Sequence, residues 1–359
     1  MKIVKRILSL ILLMALFSGC TPAGKREPVN LVPFTDSLGR VVDVPESISR
    51  VAVTGPLAQI VVFSAEPEMM VALASDWSED ARDYIDKEYC KLPILGQLYG
   101  GNSDMNIEEL AKADPQVIID IGETKADMAD DMDSVQNQTG IPTVHISADL
   151  DSMETAYQML GDLLGIRERT DVLGAWCTEA WNGTVQIMEL VGENGKKSVL
   201  YCLGDLGCNV IARDSYHSTV LDLVTNNVAV VDTPSSKGSG NEVNMEQMLL
   251  WNPEVILFAP NSMYEYVADD PLWQNMTAVQ TGQYYEVPYG VYNWMGFPPS
   301  IQRYLGMLWM TELLYPEYTD YDLYEEVREF YELFFHCEIT PEQYEGLIAN
   351  SIRKAEMTG

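Results

Sequence analysis

Aromatic side chains recur on segments that follow predicted buried strands, which is where ligands bind in open parallel sheets. Large flat rings suit a bulky ligand, although for each ring alone packing in the core is the alternative. Polar and small residues occupy the same predicted loops, so the chemistry indicated is binding. The candidate ligand-binding residues are Pro56, Leu57, Trp77, Gln97, Tyr99, Glu123, Tyr201, Tyr216, His217, Lys237, Asn261, Tyr292 and Trp294.

Metal-ligating residues are sparse. The chain has three histidines, so a bare-metal site must combine His145 at a strand end with His217 on a loop. Carboxylates such as Glu123 or Asp205 would complete it. His217 alone is typical of a polar loop residue, and beside Tyr216 it could bind haem iron. We expect no resident metal and keep His145 and His217 as weak candidates.

Signatures of catalysis are missing from the sequence. It contains no Gly-x-Ser-x-Gly and no His-Glu-x-x-His motif, and segment 192–198 resembles a phosphate-binding loop only with the wrong glycine spacing. We therefore expect neither an enzyme nor a cofactor. A structural surface lipoprotein and an enzyme remain minor alternatives.

A duplicated motif predicts the elements that position these residues. Segment 106–120 has an N-capping asparagine, a helix, an Asp-Pro stop and a buried strand, and segment 244–258 repeats the pattern 244 − 106 = 138 residues later. Unbroken apolar strands suit a parallel sheet covered by helices on both faces. The sequence thus predicts an α/β protein with two lobes of related build.

The longest helical pattern separates the two copies. Apolar residues recur every three or four positions over 167–191, and about 25 residues at 1.5 Å each span roughly 37 Å, enough to cross between lobes. An ordinary surface helix of one lobe is the alternative. We predict a first lobe at 34–165, an interlobe helix at 166–191, and a second lobe at 197–359 whose helical tail packs against that same lobe.

The amino terminus has the features of a secretory signal. Basic residues precede an apolar run over 7–17, and Phe-Ser-Gly before Cys20 resembles a bacterial lipobox. This predicts a signal peptide at 1–19, diacylation (palmitate) at Cys20 and a tether at 20–33, with a plain signal peptide as the alternative. Cleavage removes three basic residues, leaving a net charge of 19 − 54 = −35, which excludes nucleic-acid binding. Cys202 and Cys208 could pair, and free thiols are the equal alternative.

The order of these motifs resembles a known family. The hairpin at 34–45, the Gly-Pro-Leu-Ala loop at 55–58, the duplicated motif and the segment 273–288 match the iron-siderophore and cobalamin class of ABC-transporter substrate-binding proteins. The resemblance implies two lobes joined by one long helix. It also implies a monomer outside the cytoplasmic membrane that carries an iron complex (siderophore or haem) or a corrinoid to a permease and its ATPase.

In that family an acidic residue on the first helix of each lobe docks onto the permease. The corresponding positions here are Gln59 and Thr219, neither of them acidic, with Glu66 and Asp222 nearby as substitutes.

Basic residues near the predicted loops are few, namely Lys125, Arg213 and Lys237. Anionic ferric complexes are usually held by clustered arginines, so the sequence favours a neutral or cationic complex. A free divalent metal ion is the alternative ligand.

Overall fold

The computed structural model describes residues 30–99, 105–296 and 298–352. Strands are β1 (Leu31–Thr35), β2 (Val41–Pro45), β3 (Val51–Val53), β4 (Val117–Gly122), β5 (Thr143–Ser147), β6 (Ser198–Leu203), β7 (Asn209–Val210), β8 (Asn226–Asn227), β9 (Asn241–Glu242), β10 (Val255–Phe258) and β11 (Tyr284–Glu286). Helices are α1 (Pro56–Ala65), α2 (Ile107–Ala113), α3 (Met128–Thr139), α4 (Met153–Leu164), α5 (Arg167–Val191), α6 (Thr219–Val224), α7 (Met245–Trp251), α8 (Thr277–Gln280), α9 (Arg303–Leu314), α10 (Leu323–Phe335) and α11 (Pro341–Ile348).

The first lobe is built on a parallel sheet with the order β3-β4-β5. The central strand β4 is buried along its whole length, as an apolar strand covered on both faces must be. Its register with β5 places Asp120 opposite His145. A two-stranded antiparallel hairpin, β1-β2, precedes this sheet as its Gly turn predicts.

The second lobe is built on a separate sheet with the order β11-β10-β6-β7-β9, and β8 also pairs with β6. Strands β11, β10, β6 and β8 run parallel, whereas β7 and β9 are antiparallel additions at one edge. The predicted fold class is therefore confirmed: two mostly parallel sheets flanked by helices.

Both copies of the duplicated motif form the predicted helix and strand. The side chain of Asn106 caps α2 and that of Asn244 caps α7. Each helix ends at a left-handed residue before proline, Asp114 with φ 49° and Asn252 with φ 36°. Asp and Asn tolerate this conformation better than most residues, which explains why they precede the two prolines.

Helix α5 has the bounds that its apolar periodicity predicts. It follows the last strand and helix of the first lobe and leads into β6 of the second. Its Trp176 ring lies 6.2 Å from that of Tyr304 on α9 and 5.3 Å from that of Phe330 on α10. These contacts pack the helix against two helices of the carboxyl-terminal tail.

The sequence predicts that the tail packs against the second lobe, and α10 also contacts the first lobe. Nε2 of His336, which ends this helix, lies 3.0 Å from the carbonyl oxygen of Phe63 on α1. The Phe334 ring lies 6.2 Å from that of Tyr157 on α4. Periodicity predicts that one face of α10 is buried but does not say against which element, and the largest hydrophobic core cluster includes residues of both lobes.

Candidate functional site

A cavity of about 550 Å³ lies between the lobes at the carboxyl ends of β3 and β4. In parallel sheets this edge collects loops and free backbone amides, which is why it hosts ligand sites. Both lobes contribute to the wall, which consists of residues 54–58, 97, 99, 120–123, 125 and 128 from the first lobe and 216–217, 236–238 and 298–299 from the second.

A larger groove of about 1080 Å³ lies at the opposite, amino-terminal edge of the first sheet. Arg50, Gln116 and Pro142, which precede β3, β4 and β5, are among its lining residues. One lobe supplies its whole described lining. Because it lies away from the strand ends and from the second lobe, the cavity between the lobes is the better candidate.

A buried hydrogen-bonded chain forms the floor of the cavity. Asp120 accepts hydrogen bonds from the hydroxyl of Thr54 and, at 2.7 Å, from Nδ1 of His145. Nε2 of His145 lies 3.1 Å from Oγ1 of Thr124. With both ring nitrogens occupied, this fully buried His145 holds Asp120 in place and does not serve as a metal ligand.

Tyr99 and Lys125 form the first-lobe rim. The Tyr99 hydroxyl donates to Asp131 at 2.8 Å, and Nζ of Lys125 lies 5.0 Å from the centre of the Tyr99 ring. Burial and the Asp131 carboxylate raise the pKa of Tyr99 well above its ordinary value, so its hydroxyl stays protonated. The rim therefore presents a fixed aromatic surface with a cation beside it.

Tyr216 and His217 form the second-lobe wall. Burial raises the pKa of Tyr216, and burial together with the charge of Arg303 lowers the pKa of His217. Both side chains are thus neutral at pH 7. Arg303 lies behind them, with its guanidinium carbon 5.8 Å from the centre of the Tyr216 ring. Sequence reasoning missed Arg303 because it begins a tail helix far from any predicted loop.

The structure brings several predicted binding residues together on the cavity wall and leaves others elsewhere. Those on the wall are Pro56, Leu57, Gln97, Tyr99, Glu123, Tyr216, His217 and Lys237. Asn261 instead lines a separate groove of about 430 Å³.

Four predicted aromatics prove to be core residues. Tyr201, Trp294, Trp77 and Tyr292 are buried and absent from the cavity wall. Tyr201 points into the lobe because side chains alternate along β6, and its hydroxyl accepts from Asn293 at 3.2 Å. The Trp77 and Tyr292 rings lie 6.0 Å apart and so close one end of the interlobe seam. The prediction that these aromatics line the cleft is wrong.

Two of the predicted docking residues have structural roles. Gln59 is fully buried, and its side-chain oxygen accepts from the backbone nitrogens of Ala74 and Ser75, so it offers nothing to a permease. Asp222 accepts from the backbone nitrogen of Asp214 at 2.9 Å and from the amide of Asn227.

The other two predicted docking residues are accessible to a partner. Thr219 is exposed at the start of α6, and Glu66 is half-buried just after α1, where burial and Glu68 raise its pKa. An accessible position therefore remains near the first helix of each lobe.

Cys20 and the predicted signal peptide lie outside the described residues. Among the described helices, none combines the length and apolar character that crossing a bilayer requires. Cys202 and Cys208, the pair left open by the sequence, are free thiols, as are Cys90, Cys177 and Cys337.

Comparisons with known proteins agree with this architecture. The family model described as a periplasmic binding protein matches residues 71–289. An ABC transporter solute-binding protein from Sulfurospirillum deleyianum is 27% identical, with a TM-score of 0.80 over 88% of this chain and 99% of that one. No curated protein matches the chain.

Two further solved structures share the fold. A periplasmic solute-binding protein from Veillonella parvula is 24% identical, with a TM-score of 0.73 over 90% of this chain and 98% of that one. The molybdate periplasmic binding protein of Haemophilus influenzae is 20% identical, with a TM-score of 0.66 over 86% and 99% of the two chains. Proteins of this kind are extracytoplasmic, work with the permease and ATPase of an ABC transporter, and carry their ligand as a transported solute rather than a cofactor. The chain therefore belongs to the periplasmic binding protein family of the iron-siderophore and cobalamin type, a family of transport receptors rather than enzymes.

Proposed function

We propose that this chain captures an iron complex (a siderophore or haem) or a corrinoid in the interlobe cavity and delivers it to an ABC importer. The observation that carries the proposal is that residues of both lobes line one cavity at the carboxyl ends of β3 and β4. Its volume of about 550 Å³ falls within the range of roughly 300–1,000 Å³ that suits a small-molecule ligand.

The composition of the wall supports a complexed metal over a bare ion. The described residues contain no group of three or more His, Cys, Asp or Glu side chains placed to hold a metal ion. His145 is committed to Asp120 and Thr124. Tyr99 and Tyr216 instead offer ring surfaces, which suit the organic shell of a chelate.

Delivery and anchoring complete the proposal. Glu66 is the candidate docking position on the first lobe (34–165), and Thr219 is the one on the second lobe (197–359). The helix within 166–191 joins the two lobes. Diacylation of Cys20 would hold the chain, through the tether at 20–33, at the outer face of the cytoplasmic membrane after removal of 1–19. Incorporation of labelled palmitate into the wild-type chain but not into Cys20→Ser tests the anchor.

A thermal-shift screen tests the ligand class. The full chain in detergent is mixed with ferric siderophores, haem, cyanocobalamin, or manganese, zinc and nickel salts. A ligand at about 100 times its Kd stabilises the native state by about 2.7 kcal/mol, so one complex should raise the Tm clearly.

Variants locate the binding. Tyr216→Ala should abolish the shift, whereas Tyr266→Ala, which removes an exposed tyrosine outside the cavity wall, should preserve it. Stabilisation by metal salts alone would favour the free-metal alternative. Equal Tm shifts in both variants would show that the ligand does not bind in the cavity.

A further inference from the structure

Arg303 is a buried cation without a carboxylate partner. It is 4% exposed at the start of α9. Its Nε donates to the carbonyl of Ser300 at 3.4 Å, its guanidinium faces the Tyr216 ring, and its contacts among the described residues include no ion pair. Burying a charge in this way is costly to the folded protein unless something compensates it.

The position of Arg303 connects it to the cavity. Its aliphatic stem packs against Gly296, since a Cβ on Gly296 would fall 2.9 Å from the Cδ of Arg303 and 3.4 Å from the Cα of Pro299. Pro298 and Pro299 line the cavity, as does Tyr216 over the guanidinium. One layer of side chains therefore separates this charge from the space that a ligand would fill.

The charges around Arg303 leave it uncompensated. Burial lowers the pKa of Arg303, whereas the Tyr216 hydroxyl, to which it hydrogen-bonds, the Tyr304 hydroxyl and the Asp149 carboxylate raise it. Lys237 adds positive charge on the second-lobe wall, which has no carboxylate among its lining residues, whereas the first-lobe wall has Lys125 together with the carboxylates of Asp120 and Glu123. The second-lobe wall thus has a positive potential in a largely dehydrated setting, where electrostatic interactions are strong.

We propose that the cavity takes a ligand that carries negatively charged oxygen atoms and that Arg303 supplies the counter-charge for it. The inference rests on the proposed function of the cavity and reverses the sequence-based preference for a neutral or cationic complex. The guanidinium acts through its charge across that layer, and the protonated Tyr216 hydroxyl at the cavity wall is the donor nearest to such oxygens. Among the proposed ligands this selects anionic iron complexes over corrinoids.

Two iron complexes that differ in charge test the inference. A ferric tris-catecholate is trianionic and a ferric tris-hydroxamate is neutral, so tryptophan-fluorescence titration of the full chain with each isolates the effect of charge. Molybdate serves as a small oxyanion probe. Arg303→Met removes the charge at similar length, Arg303→Lys keeps it, and Arg328→Met, on the exposed face of α10, matches the net charge of the first variant.

We expect the wild type to prefer an anionic probe. Arg303→Met should weaken that binding at least ~30-fold, which corresponds to about 2 kcal/mol, whereas Arg328→Met should leave it within about twofold. Without ligand, Arg303→Met should melt at or above the wild-type temperature, because it removes an uncompensated buried charge.

Other outcomes separate this inference from the proposed function. Preference for the neutral complex, or unchanged anion affinity in Arg303→Met, overturns the inference while the receptor function stands. If no probe binds the wild type, the proposed function fails for these ligands. The melting temperature of ligand-free Arg303→Met then shows whether Arg303 stabilises the fold. Clear destabilisation of ligand-free Arg303→Met would make the arginine a structural residue and overturn its ligand role.

Discussion

Phe334 on α10 provides the sharpest test of how the lobes are held together. Its side chain is fully buried, its ring stacks on Phe330 at 4.6 Å, and the rings of Trp176 and Tyr157 lie 5.4 Å and 6.2 Å away. These neighbours belong to α10 itself, to the interlobe helix and to α4 of the first lobe. Phe334→Ala would therefore open a void where the tail meets the interlobe helix and the first lobe.

The expected cost follows from the surroundings of the ring. Truncating a buried phenylalanine costs about 3–5 kcal/mol, depending on how far the site can collapse. Here large rings on separate helices border the void, so collapse is limited and we expect about 4 kcal/mol. Since domains are stable by only about 5–15 kcal/mol, this loss is large.

Urea unfolding followed by tryptophan fluorescence measures the cost. Glu332→Ala is the matched control because Glu332 lies exposed on the same helix, and it should change the free energy of unfolding by no more than about 0.5 kcal/mol. Hydrogen exchange in Phe334→Ala should show lost protection in α1 and α4. A loss below about 1 kcal/mol, or lost protection confined to the second lobe, would refute the bracing role of α10.

Three further predictions concern single groups. The pKa of His217 lies below its ordinary 6.5, so the unfolded chain binds a proton that the folded chain does not, and the stability falls as the pH drops below 6.5. The urea midpoint of His217→Asn should therefore depend less on pH below 6.5 than that of the wild type, and an identical pH dependence would contradict this. Burial raises the pKa of Cys177 and Cys202, so both should resist a thiol reagent until urea unfolds the chain, and fast labelling of the native protein would count against the structure. Thr219→Lys should lower stimulation of the transporter ATPase while ligand affinity stays within about twofold, and full stimulation would argue against docking at that position.

Local signals in the sequence predicted the helices and strands named below, whereas the features that the sequence did not predict depend on contacts between residues far apart in the chain. Capping asparagines and Asp-Pro or Asn-Pro stops define α2 and α7 because those interactions lie within a few residues. The length of α5 follows from a periodicity that one helix contains in full. The docking of α10 on α1 joins residues 273 positions apart, as in the His336 to Phe63 contact, and no local pattern encodes it.

The candidate site shows the same division. Residues directly after β3 and β4, such as Pro56 and Glu123, reach the cavity because the strand-end rule depends only on topology. Tyr201 fails because it lies inside β6, where the face it points to depends on register. Arg303 had no sequence signal, since an arginine at the start of a predicted tail helix is ordinarily a solvated residue.

The interlobe contacts determine how a ligand enters the cavity. Trp77 packs on Tyr292 at one end of the seam, and the Tyr304 hydroxyl donates to the carbonyl of Leu150 at 2.6 Å. With α5 crossing between the lobes and α10 bracing them, wide separation would expose this packed apolar surface to water at a large free-energy cost. A smaller rearrangement would be local, at the cavity-wall side chains of Tyr216, Pro298 and Pro299. Ligand exchange should therefore depend on movement of these wall residues rather than on wide separation of the lobes.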